Sequence, residues 1–194
     1  MIQRLRSAPG STARYDMDII PIANPWGWVH DWPLTPRGID IAYDFTRFDS
    51  HEARIIRRFL REKRYDLVLV LREDPQATGF YLERYALDAP EGSTRMVDRM
   101  RKAGYPLESD SGRILLKPQN GIVDVPLWGL AYLRLIRQLT VGGYLRQNVG
   151  SVVFTVVTPA NLPLADRIAM QRMAVEELLA EYAAPRNHPE PYSN

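Results

Sequence analysis

The amino-acid sequence predicts an α+β fold in which helices and strands are mixed along one chain. Three observations predict it. Ile55, Ile56, Phe59 and Leu60 recur at helical spacing behind a capping Ser50. Residues 152–157 are rich in β-branched side chains, which suit a pleated surface. The 194 residues are 45% hydrophobic and 25% charged, an ordinary globular balance that can bury a core.

The elements follow in order. Residues 1–15 carry Ser, Gly, Pro and Arg without periodicity and read as a lead-in. Residues 16–22 read as a strand ending at Pro21. NPWGWVHDWPLTPRG, residues 24–38, reads as an irregular arm, because its prolines and glycines interrupt helix and sheet alike. Asp49 or Ser50 caps a helix to about Arg64, on which Arg54, Arg57, Arg58 and Arg61 line a second face. Residues 67–71 have strand character, and residues 78–87 read as a helix. After a loop at 88–92, Ser93 caps a helix that ends at Gly104. Two short strands flank residues 110–112, and a third covers 121–125.

Asp124 before Pro126 starts a helix to about Leu139, whose apolar content predicts that it is largely buried. Gly142 and Gly143 break the chain before the strand at 152–157. Asn161 caps a last helix with Pro163 in its first turn, running to about Ala183, and a proline-rich tail follows. The expected organisation is an arm at 1–48, a central segment at 49–118, a helix-strand-helix part at 119–184 on the same core, and a tail at 185–194.

Composition removes several chemistries. With no cysteine, disulfides, thiolate nucleophiles and Cys-ligated zinc are excluded, and a reducing compartment is the expected home. The N-terminus has no apolar signal region, and the longest aliphatic run, 67–71, is too short to span a bilayer, so a cytoplasmic protein without a membrane partner is expected. His30, His51 and His188 lack ligand spacing, and no phosphate-binding glycine loop is present, so neither metal nor cofactor is implied. PLTPRGIDIA resembles a stretch of the histidine phosphatases, but the Arg-His-Gly that their chemistry needs is missing. An enzyme therefore ranks third among the functional classes.

The net charge is only +2, yet all of the 25 basic residues except Lys63, Lys102 and Lys117 are arginine. Arginine's planar fork suits phosphates and base edges, although a GC-rich genome produces the same bias. In MRKAGYPLESDSGRILL, residues 100–116, a basic helix runs straight into a hairpin. Met96, Met100 and Ala103 form its apolar stripe, Gly104 permits a left-handed cap, and 105–109 pairs with 113–117 across Asp-Ser-Gly.

The stretch from Gln76 to Pro118 resembles the winged helix-turn-helix module of bacterial regulators, particularly the biotin-repressor-like and WYL-type groups. Tyr81, Leu82 and Tyr85 stand at the first pattern of that module. Lys102, Ala103, Gly104, Tyr105, Pro106, Leu107 and Ser109 match the second. The resemblance implies a winged-helix-like central segment whose wing surrounds Gly112. It further implies a non-catalytic protein that binds double-stranded DNA, as a transcriptional regulator or a factor handling mobile-element or plasmid DNA. Arg95 and Arg99 would meet base edges, Lys102, Arg113 and Lys117 phosphates, and Arg54, Arg57, Arg58 and Arg61 would add sequence-independent attraction. The rival expectation is a structural or adaptor subunit. Trp26, Trp28 and Trp32 would then anchor a protein partner or a second copy through residues 23–36.

Overall fold

The computed structural model describes residues 3–6, 16–85, 91–109 and 117–182. β3 (Tyr65–Asp74), β4 (Tyr81–Tyr85), β5 (Ile122–Val125) and β6 (Gly150–Pro159) form one sheet in the order β3-β6-β4-β5. β6 runs parallel to β3 and antiparallel to β4, while β5 runs parallel to β4. A separate antiparallel pair joins β1 (Gln3–Arg6) to β2 (Asp16–Ile19). The helices among the described residues are α1 (Pro25–His30), α2 (His51–Leu60), α3 (Glu91–Lys102), α4 (Leu127–Leu135), α5 (Val141–Asn148) and α6 (Leu164–Tyr182). The α+β class is the one the sequence predicts.

Side chains alternate across a strand, so each face of the sheet recruits its own helices. On one face Tyr81, Tyr85, Val123, Val125, Val153 and Val157 pack with Ile56 and Leu60 of α2 and Leu145 of α5. On the other, Leu82, Phe154 and Val156 pack with Met96 and Met100 of α3 and with Met170, Ala174 and Leu178 of α6. β6 is buried on both faces, which explains why its run from Val152 to Val157 is apolar on both sides apart from Thr155.

Local signals place several elements where the sequence predicts. Ser50 accepts from the Ala53 amide at 3.2 Å and starts α2, whose apolar stripe turns Ala53, Ile56 and Leu60 inward. Gly104 closes α3 with φ +86°, a left-handed conformation that glycine adopts without a Cβ clash.

Four expectations are corrected. Residues 81–85, expected within a helix, form β4, and all five are buried because the strand lies between β6 and β5 with helices on both faces. Tertiary burial overrides the helix-forming Leu82, Glu83 and Arg84 there. The segment that the resemblance would make the helix preceding the recognition helix is therefore a strand. Next, Gly142 and Gly143 do not break the chain; they lie in α5, where Thr140 caps by accepting from the Gly143 amide at 3.2 Å. The apolar helix α4 is mostly exposed, with Leu127 at 68% and Leu135 at 79%, because only its Gly129 and Leu130 are buried and Leu133 packs partly against the core. Finally, the Trp-rich arm contains the short helix α1, started by Pro25 behind Asn24, whose side chain accepts from the Gly27 amide at 2.9 Å. Most of the expected hairpin, at 110–116, lies outside the described residues, as does the tail.

Candidate functional site

Two clusters of polar side chains flank β4, and they differ in access. The first is sealed inside the sheet. Glu83 is 3% exposed and accepts a short hydrogen bond from the Tyr85 hydroxyl, which also meets Thr140 Oγ1 at 3.1 Å and Thr155 Oγ1 at 3.2 Å. Burial, and then the neighbouring Glu83 charge, pushes the Tyr85 phenol well above its ordinary value. Two strands away, burial would lower the Arg72 guanidinium, but Glu83, Tyr81 and Tyr43 outweigh it and raise it. The Tyr81 hydroxyl donates to Asp74 at 2.8 Å. Tyr81, Glu83 and Tyr85 are all closed to solvent, so this network serves the core.

The second cluster opens to solvent. A cleft of about 690 Å³ lies between α3 and β5, lined among others by Arg84, Asp98, Arg101, Lys117, Asn120 and Asp124. Arg84 forms its floor. Its Nε and Nη2 donate to the two carboxylate oxygens of Asp124, each at 2.6 Å, while Nη1 donates to Ser93 Oγ at 3.2 Å and Thr94 Oγ1 at 3.1 Å. One bidentate arginine thereby ties β4 to β5 and α3. Asp98 pairs with Arg101 one turn further along α3, at the rim. A concave site with a few convergent polar groups is the usual form of a ligand pocket, and this lining carries three cations to two carboxylates.

The residues singled out in the sequence are dispersed. Arg95 pairs with Glu181 at 2.7 Å and Arg99 with Glu177, so both lace α3 to α6. Lys102 is exposed at the end of α3. Among the described residues of this set, Lys117 alone lines the cleft. Arg113 lies outside the described residues. Arg54 Nη1 donates to the carbonyls of Phe48 at 3.2 Å and Asp49 at 3.1 Å, and the Arg57 guanidinium sits 4.5 Å from the Phe48 ring centroid, whereas Arg58 and Arg61 are exposed. Trp26 stacks on His30 with centroids 4.1 Å apart, while Trp28 and Trp32 stand out from the surface. Sequence reasoning missed Arg84 and Asp98 as site residues and read Asp124 only as a helix start.

No protein-family model matches the sequence, and no curated protein matches it. Solved structures do share the fold. A "putative metallopeptidase" from Shewanella denitrificans OS217 superimposes with a TM-score of 0.71 at 16% identity, over 88% of this chain and 63% of that one. Structures described in the same words from Shewanella amazonensis SB2B and Shewanella baltica OS155 give TM-scores of 0.68 and 0.66 at 18% and 16% identity. They are matched over 86% and 87% of this chain and 64% of each of theirs, so the chain spans under two thirds of their length.

These likenesses define a shared fold class and correct the functional expectation. The neighbours are described as putative metallopeptidases and not as regulators, which corrects the non-catalytic DNA-binding reading, its double-stranded DNA partner and the adaptor reading through 23–36. The DNA-contact roles given to Arg95, Arg99, Lys102, Arg113, Lys117, Arg54, Arg57, Arg58 and Arg61 lose their basis with it. No described helix is long and apolar enough to cross a membrane.

The described residues do not fit the metal that those descriptions imply. No group of three or more His, Asp or Glu side chains among them could hold an ion. No histidine lines the cleft, and both of its carboxylates are paired with arginines. His51 and Glu52 open α2 as the first half of a His-Glu-x-x-His pattern, but Ile55 stands where the second histidine belongs.

Proposed function

We propose that the chain is an enzyme acting on peptide-like substrates, with the cleft between α3 and β5 as its binding site. The observation that carries the reading is the fold likeness over 88% of the chain at a TM-score of 0.71. The cleft adds a site of suitable size with convergent polar groups. Arg101 and Lys117 at its rim favour an acidic group on the substrate, and Gln119 and Asn120 offer the paired donors and acceptors that a peptide backbone needs. Arg84 holds Asp124 in place at the floor.

Incubating the full chain with a protein-derived peptide mixture, and reading new termini by mass spectrometry, tests the reading. Cleavage that weakens in the Arg101→Ala, Lys117→Ala double variant is the expected result. A mixture left intact by the wild-type chain, with and without added zinc, removes it.

A further inference from the structure

The ion pair at the floor of the cleft is unequal in access. The Arg84 side chain is 8% exposed, whereas the Asp124 side chain that pairs with it is 66% exposed. At the other end of the guanidinium, Ser93 Oγ and Thr94 Oγ1 accept from Nη1, so α3 positions Arg84 independently of the acid. The Arg95–Glu181 pair exposes both partners, and the Glu83–Tyr85 pair exposes neither. A buried cation covered by an exposed acid is the arrangement in which the acid can be exchanged from solvent.

The exchange asks nothing of the backbone. Val123 and Val125 on either side of Asp124 are buried, and β5 is paired to β4 along its length, so the carboxylate leaves Arg84 by turning its own side chain while the strand stays in place. Charge favours the exchange as well. The lining sets Arg84, Arg101 and Lys117 against Asp98 and Asp124, which leaves room for one more negative charge. The released Asp124 stays among those cations.

Geometry selects the incoming group. The fork that takes Asp124 Oδ1 and Oδ2, each at 2.6 Å, fits the two oxygens of any carboxylate. A neutral amide offers one oxygen and no charge, and it does not replace Asp124.

We propose that Asp124 is a built-in stand-in for a carboxylate of the substrate: an acidic ligand enters the cleft, displaces Asp124 and is seated on the Arg84 fork. The inference rests on the cleft being the substrate site, and it names the group recognised there, the C-terminal carboxylate or an acidic side chain of a peptide-like molecule. Arg101 and Lys117 attract that acid at the rim, and Asp124 keeps ligands without one off the floor.

Isothermal titration of the full chain with N-acetyl-alanyl-alanine, as the C-terminal acid and as the amide, tests it at constant ionic strength. The amide of N-acetyl-alanyl-glutamate adds a side-chain acid, and binding of either acid identifies its source. The wild type should bind an acid and not the alanyl amide. Asp124→Asn should bind that acid at least about tenfold tighter, because the ligand no longer competes with a charged partner of Arg84. Asp124→Ala gives a second readout. Its urea midpoint should fall and then recover in acetate but not in equimolar chloride, and Asp124→Asn keeps the test valid should the alanine variant misfold. Acid and amide bound equally, no acid bound by any of the chains, an acid held no tighter by Asp124→Asn than by the wild type, or an Asp124→Ala midpoint indifferent to acetate overturns the proposal. None of these readouts needs turnover. A wild type that cleaves nothing yet gives the expected binding removes the enzyme reading alone, and failed binding leaves any observed cleavage standing.

Discussion

Glu83 and Arg84 are consecutive residues of β4, opposite in charge, and the pleat sends them to opposite faces of one sheet. Glu83 enters a sealed network with Tyr85, which in turn meets Thr155, and its charge acts on Arg72 two strands away; the carboxylate is closed to bulk solvent. Arg84 floors a cleft, where its saturated guanidinium holds Asp124 and leaves Asp98, Arg101 and Lys117 near solvent. The contrast teaches that perturbed ionisation marks burial before it marks catalysis. Here the phenol held far from its ordinary value belongs to the core, and the candidate binding groups stand in the open.

The largest effect should come from the sealed side. Glu83→Leu leaves the buried Tyr85 hydroxyl without its acceptor and removes the charge that helps raise Arg72, and leaving a buried polar group short of its partner costs about 1–3 kcal/mol. Urea unfolding at neutral pH reads it, and a loss near zero would break the contrast between the two sites. Gly142→Ala comes next. Its Cβ would lie 2.5 Å from the Tyr85 ring, and such overpacking costs about 1–3 kcal/mol, visible as a lower urea midpoint with an unchanged slope.

Tyr85 sharpens the contrast through pH. Its folded value is raised, so the folded state holds the proton longer than the unfolded chain does. The stability this provides is complete below the ordinary tyrosine value of 10.0 and is lost as pH climbs from there toward the raised folded value. Tyr85→Phe should therefore flatten the fall of the urea midpoint above pH 10, and an unchanged alkaline limb would place the phenol in solvent.

The smallest effect on stability belongs to the cleft. Arg101→Ala should change unfolding by no more than about 0.5 kcal/mol, because its pair with Asp98 lies at the surface. Peptide cleavage should weaken in the same variant, which separates binding groups from structural ones.

Local patterns made much of the fold legible. The Ser50 cap and apolar stripe of α2, the β-branched run of β6 and the prolines ahead of α4 and α6 act within a few residues, so sequence spacing reports them directly. β4 escaped because burial on both faces erased the polar alternation that identifies a strand, leaving Leu82, Glu83 and Arg84 to suggest a helix. The site escaped for a related reason: Arg84 and Asp124 are 40 residues apart, and nothing in either segment announces the other.

What the sequence determined by itself was local: where a side chain caps a turn, where a stripe repeats, which chemistries a cysteine-free chain excludes. Only the tertiary structure decided the strand order, the glycine helix lying against Tyr85 and the exposure of α4. It also decided that the arginines of α3 face the acids of α6. Each of these depends on which distant segments become neighbours, and burial and Coulomb energies act across space irrespective of distance along the chain.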